Sequence, residues 1–264
     1  MKKIVCIAMA VAAIVFSACS SDEENPIDNN GSNTGMVLHA TIDGQDATRA
    51  TMNGDSVNMT KDDSGKWTFA FSGSDKINVS NSDISNYYTF TNVAKDDDKS
   101  TSFLSTDAKA TAKAANWCAY FPGNDVDLSY QSGKFADVAN YYALAGTTEN
   151  ATTGADDGIS INMKPQVAIL RVVKVENQKF GACDVNVRTA DGKYVAGLTA
   201  KKGEAAFDVK TSDTKVTLLS KTMPGVYYIA VPAGVKISIY NGDSLRNKTK
   251  DVGLTAGKYL KFRI

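Results

Sequence analysis

From Met36 onward, hydrophobic and polar residues alternate with a period near two, the pattern of strands that bury one face. Met36, Leu38, Ala40 and Ile42 share one face, and Val37, His39 and Thr41 the other. The alternation returns at Trp67, Phe69 and Phe71, at Ile77 and Val79, and at Ile159, Ile161 and Met163. It returns again at Val185 and Val187, at Val216 and Leu218, and at Leu260, Phe262 and Ile264. Turn dipeptides stand between these runs: Asn53-Gly54, Ser64-Gly65, Ser132-Gly133, Asp191-Gly192 and Asn241-Gly242. Short strands with frequent turns predict an all-β fold of sandwich or barrel type. Residues 107–116, rich in alanine and lysine, are the one stretch that reads as a helix.

The longest apolar run after the N-terminal leader, residues 167–175, is apolar on both faces at its start, which predicts a central strand. It follows a polar, Gly-containing stretch at 147–158. These features place two β-domains in tandem, at 36–160 and 161–264. No exact repeat links the halves.

The N-terminus carries a different signal. Lys2 and Lys3 precede an apolar run at 4–16 that is short for a permanent membrane span. Phe16-Ser17-Ala18-Cys19 resembles a bacterial lipobox, so residues 1–18 read as a signal peptide and Cys19 as the lipid-bearing first residue of the mature chain. Ser20-Ser21-Asp22-Glu23-Glu24 resembles the acidic export signal that sends lipoproteins of gut and oral Gram-negative anaerobes to the outer face of the outer membrane. Residues 19–35 form a polar, Asn-rich tether with too little apolar area to fold.

Charge excludes one broad class. The chain has 29 basic and 29 acidic residues. Loss of Lys2 and Lys3 leaves 27 basic residues against 29 acidic, or about −2. A nucleic-acid partner would ask for a basic stripe. Of four cysteines, Cys6 leaves with the signal and Cys19 takes lipid. A disulfide between Cys118 and Cys183 is chemically permitted outside the cytoplasm, but their placement in separate domains favours two buried free thiols.

Catalytic chemistry is not legible. His39 is the only histidine; it lies on the polar face of a strand, where a surface role suits it better than a triad. Asp96-Asp97-Asp98 lacks the alternating spacing of a calcium loop and reads as a solvated turn. Nothing marks a carboxylate pair or a phosphate-binding loop. No catalytic residue, metal or cofactor is assigned, and the chain reads as non-enzymatic. Tyr87-Tyr88, Trp117, Tyr120-Phe121, Tyr141-Tyr142 and Tyr227-Tyr228 are candidate stacking platforms for sugars. In each adjacent pair one ring should point inward as core and one outward.

The lipobox, the acidic tether and Ala47-Thr48-Arg49-Ala50-Thr51 ahead of an all-β body resemble the fimbrillins, pilin subunits of gut and oral Gram-negative anaerobes. Gly73-Ser74-Asp75-Lys76-Ile77-Asn78-Val79, Trp117-Cys118-Ala119-Tyr120-Phe121-Pro122, residues 163–172 and residues 225–232 also match the family's habits, as does the ending 256–262. The resemblance implies two transthyretin-like β-sandwiches in tandem, at the outer membrane and cell surface. It implies cleavage after Arg49, leaving Ala50 as the new N-terminus. The first strand, 36–42, would then be lost and replaced by a strand from another pilin subunit. Residues 258–264 are either that donor or the last core strand, so stalk, anchor and tip roles all remain open. Asp55-Ser56-Val57 and Asp243-Ser244-Leu245 resemble the three-residue O-glycosylation site of secreted proteins in these bacteria, at Ser56 and Ser244. A host or bacterial surface ligand is a further implied partner. The rival reading is a surface glycan-binding lipoprotein.

Overall fold

A computed structural model describes residues 36–42, 58–61, 67–80, 86–93, 100–105, 116–148, 159–175, 182–248, 253–257 and 259–264. Alternation and turn residues produce an almost wholly β architecture. In chain order the strands begin with β1 (Met36–Ile42), β2 (Asn58–Lys61), β3 (Trp67–Ala70), β4 (Lys76–Ser80), β5 (Tyr88–Asn92), β6 (Ser100–Ser105), β7 (Trp117–Phe121), β8 (Asp125–Asp127) and β9 (Leu144–Thr148). They continue with β10 (Ile159–Pro165), β11 (Val167–Lys174), β12 (Cys183–Thr189), β13 (Tyr194–Ala200), β14 (Phe207–Ser212) and β15 (Leu219–Lys221). The last four are β16 (Gly225–Pro232), β17 (Ile237–Asn241), β18 (Ser244–Lys248) and β19 (Tyr259–Arg263). A short 3-10 helix at Ala136–Tyr141 is the helical element among the described residues. The helix expected at 107–116 lies outside them.

Seven strands close a barrel in the order β1-β10-β9-β7-β4-β5-β6. Closure satisfies the hydrogen-bonding edges that an open sheet would expose. The inward positions are large and dry: Leu38, Ile77, Phe90, Phe103, Trp117 and Ile159 are fully buried. Phe71 packs edge-on against Phe103 at 5.2 Å and Phe121 at 5.6 Å between ring centroids, a favoured aromatic geometry.

At Gln166 the chain leaves the barrel for the remaining sheets. Its N–H donates back to Ala143 O at 2.8 Å, while its own carbonyl accepts from Ala233 N at 3.0 Å. The apolar run at 167–175 supplies β11, the middle of the sheet β16-β11-β19, as its two-faced pattern predicts. β2 and β3 form a separate two-stranded sheet, and a seven-stranded sheet follows the path β14-β13-β12-β17-β18, with β15 paired to β12 and β8 to β13. Asp191-Gly192 and Asn241-Gly242 turn its hairpins, with Gly192 and Gly242 at φ 86° and 57°, the left-handed region glycine enters without cost. One buried apolar cluster links Leu38 and Phe103 of the barrel to Ile169, Val187, Ile229 and Ile239, and residues 34–264 form one compact unit.

One piece of the first half is built into the second. β8 pairs with β13 through Asp125–Thr199, Val126–Leu198 and Asp127–Gly197. Buried Gln131 then secures the segment. Its amide donates to Leu128 O at 3.0 Å and Ala230 O at 2.8 Å, and its carbonyl accepts from Ala230 N at 2.7 Å.

Candidate functional site: the first strand and its slot

β1 alternates as its sequence demands. Met36, Leu38, Ala40 and Ile42 are buried, whereas His39 is exposed and Val37 and Thr41 are half-buried. The strand sits between two neighbours of opposite polarity. It runs antiparallel to β6, with Met36 opposite Ser105 and Thr41 opposite Ser100. It runs parallel to β10, with Leu38 opposite Ile159 and Ile42 opposite Met163. Leu38 therefore lies between Phe103 and Ile159, all three fully buried. Ala40 lies between Thr101 and Ile161, where the register accommodates a small side chain.

Two consequences follow from this placement. Parallel pairing cannot be made by a tight hairpin and needs a long connection; more than a hundred residues separate β1 from β10. Toward the rest of the barrel, β1 is connected only through residues 43–57, which include Arg49 and Ala50. A break there would sever the covalent link from β1 to the rest of the barrel without cutting any other described strand. Loss of β1 would leave the facing edges of β6 and β10 unpaired and open a row of apolar contacts, an arrangement suited to accepting another strand.

The other terminal strand is paired in its own sheet. β19 runs parallel to β11, with Leu260 opposite Leu170 and Arg263 opposite Val173. Buried Ile264 extends this pairing: its N–H donates to Val173 O at 3.0 Å and its carbonyl accepts from Val175 N at 3.4 Å. β1–β10 and β11–β19 are the parallel pairs among the described strands.

Cys19, Arg49, Ala50, Ser56, the tether and the Asp96–Asp98 run lie outside the described residues. Ser244 is exposed beside the turn joining β17 to β18. The preceding Asp243 meets Arg188 at 3.3 Å, and the Arg188 guanidinium lies between the rings of Tyr194 and Tyr240, 4.5 Å and 4.1 Å from their centroids. His39 is exposed and hydrogen-bonds through Nδ1 to Ser102 Oγ at 2.9 Å. Cys118 and Cys183 are buried and free; burial pushes the Cys183 thiol up to about 11, with Asp184 adding to the rise and Lys174 opposing it.

The aromatic pairs mostly serve packing, and in one of them the outward ring is buried as well as the inward one. Tyr120 and Phe121 are both buried. Phe121 points into the barrel toward Phe69 and Phe71. Tyr120 points out beneath Phe207, 5.8 Å away between centroids, and is buried there because the Lys201–Glu204 turn covers that face. Its hydroxyl sits 2.8 Å from Lys201 O and 3.0 Å from Glu204 O, sharing its proton between them, and accepts from Ser80 Oγ at 3.3 Å. Burial is the main reason its phenol is pushed up to about 12.

Sequence reasoning passed over Tyr130 and Gln131. Tyr130 stands alone rather than in an aromatic pair, and Gln131 carries no recognisable pattern. The backbone reveals both: Tyr130 is 76% exposed with φ 51°, and Gln131 is buried.

No family model matches the chain, and no curated protein matches its sequence. Among solved structures, a candidate cell adhesion protein from Bacteroides ovatus is similar over 86% of this chain and 90% of its own, at 10% identity and a TM-score of 0.46. A fimbrial protein from Bacteroides ovatus is similar over 89% of this chain and 49% of its own, at 15% identity and a TM-score of 0.36. A fimbrial assembly protein from Parabacteroides distasonis is similar over 87% of this chain and 90% of its own, at 10% identity and a TM-score of 0.33.

Proposed function

We propose that the chain is a non-catalytic structural subunit of a surface fimbria, assembled by strand exchange. The barrel and the sheets that follow Gln166 would be its two tandem units, related to transthyretin-like sandwiches, with the boundary after β10 rather than at 160/161, which falls inside that strand. In this scheme the lipid on Cys19 carries the precursor to the outer membrane and holds it at the cell surface. Cleavage after Arg49 then releases β1, and a strand from another subunit enters the slot. A subunit that keeps its lipid would serve as an anchor.

The observation that carries this reading is the position of β1. It is a barrel strand with a buried apolar row, hydrogen-bonded on both edges, and joined onward through the segment that contains Arg49. Strand addition uses the same physics: main-chain hydrogen bonds supply affinity and alternate side chains supply selectivity.

N-terminal sequencing of surface-released protein tests the scheme. A start at Ala50, with heat-sensitive ladders on unboiled gels after arginine-specific proteolysis, is the expected result. Chains that remain monomeric after cleavage would overturn strand exchange. A blocked, lipidated Cys19 throughout the surface pool would restrict the protein to an anchor.

A further inference from the structure

The segment 125–131 leaves a cavity where it enters the second sheet. Beyond β8, Leu128 N donates to Ala196 O at 2.9 Å, beside β8's own pairing with β13. Two residues later the segment has moved to the chain entering β15: Tyr130 N donates to Thr217 O at 3.0 Å and Gln131 N to Leu218 O at 2.7 Å. A cavity of about 330 Å³ lies at this divergence. Asp125, Asp127, Tyr130, Lys210, Ser212 and Lys215 are among the residues that line it, and its wall is more apolar than polar.

The fold gives no packing reason for tyrosine at position 130. Its side chain is 76% exposed, so it gains little from burial. Its backbone is held at φ 51°, a conformation that favours glycine or asparagine over a residue of this bulk. The three hydrogen bonds of Gln131 fix the adjacent backbone. The result is an exposed, amphipathic residue at the edge of a cavity whose wall is both apolar and polar.

The wall is positioned as well. Asp125 Oδ1 accepts from Thr199 Oγ1 at 2.7 Å, and Asp127 Oδ1 accepts from Ser129 N at 2.8 Å. Each carboxylate is thus held through Oδ1. Neither lysine is ion-paired among the described residues. Acceptors and donors of both charges surrounding an aromatic face suit a polyhydroxylated ring, whose apolar face stacks while its hydroxyls form charge-assisted hydrogen bonds. The volume lies near the lower end of ligand sites, which span roughly 300–1,000 Å³, so the match is to a mono- or disaccharide unit.

We infer that this cavity is a saccharide-binding site, with a pyranose ring laid on Tyr130 and its hydroxyls met by Asp127 and Lys210. The site is separate from the β1 slot and does not depend on strand exchange.

The test applies the full-length chain in detergent to an array of immobilised neutral and anionic glycans. Retention on one or more glycans is expected, with Tyr130→Ala and Lys210→Met each weakening binding about ten-fold or more, and Tyr130→Trp retaining it. Matched circular dichroism and melting curves establish that each variant is folded. Absence of retention across the array overturns the proposal. So does retention that folded Tyr130→Ala and Lys210→Met leave unchanged, because it would place the binding elsewhere.

Discussion

Leu38→Ala is the most direct perturbation of the slot. Leu38 is 0% exposed, and its cross-strand partners Phe103 and Ile159 are also 0% exposed. Removing a buried leucine side chain costs about 2–5 kcal/mol, depending on how far the site collapses. Here the hydrogen bonds to β6 and β10 fix the backbone on both sides, which limits collapse. A cost of about 3 kcal/mol is the working value. If β1 opens as a unit of its own, the exchange-competent population rises about 100-fold, since about 1.4 kcal/mol corresponds to a factor of ten. Hydrogen exchange followed by mass spectrometry reads this directly. The acceleration should fall on β1 and the facing amides of β6 and β10, while β5 and β7 change much less. Val37→Ala, on the half-buried opposite face, should change exchange by less than about ten-fold. Two results would refute the reasoning: acceleration below about ten-fold in Leu38→Ala, or equal acceleration in every barrel strand. The second would mean that β1 opens only with the whole fold.

Three other perturbations test the supporting structure. Tyr120 keeps its proton in the folded state up to about pH 12, whereas an unfolded tyrosine ionises near pH 10. Its contribution to stability is therefore present below about pH 10 and is lost as pH rises toward 12; in Tyr120→Phe this part of the alkaline fall in urea stability should disappear. Native Cys183, buried and titrating at about 11, should resist iodoacetamide at pH 8 and react on denaturation; rapid native labelling would refute its placement. Gln131→Leu leaves three buried hydrogen-bond partners unsatisfied and should cost at least about 2 kcal/mol in chemical denaturation, since each stranded group costs about 1–3 kcal/mol and the added apolar volume offsets only part of the sum; a neutral result would show that the segment 125–131 is held by other contacts.

The strands were legible because alternation reports directly which face is buried. Met36 to Ile42 is a clean case, and its burial follows the pattern residue by residue. The central position of β11 was legible for the same reason, since two apolar faces require cover on both sides. Partner choice was not legible. Nothing in residues 36–42 names β10 as the parallel neighbour, because that pairing is decided by barrel closure across a long sequence separation. Tyr120 shows the same limit: whether an outward ring stays wet depends on the 201–204 turn, remote in sequence. The 3-10 helix at Ala136–Tyr141 was missed because one short turn carries little periodicity. The cavity at Tyr130 was hidden because its walls come from three separate parts of the chain.

The slot also constrains whatever replaces β1 in the proposed exchange. An occupant that runs as β1 does is antiparallel to β6 and parallel to β10, and a reversed one would exchange the two pairings. Either must bring apolar side chains to alternate positions and a small one where Ala40 sits between Thr101 and Ile161. The outward positions are less demanding, since His39 is exposed. A synthetic peptide of residues 36–42 meets every condition and should block ladder formation when added to the arginine-cleaved chain. Exchanging its inward and outward residues preserves composition, charge and length. That peptide would turn His39 and Thr41 into the barrel and leave the leucine outside, because strand side chains alternate with a period of two. It should block poorly, needing at least about ten-fold more peptide for the same inhibition, equivalent to about 1.4 kcal/mol. Equal inhibition by both peptides would show that backbone pairing alone selects the occupant, and the buried row of β1 would then have no role in assembly.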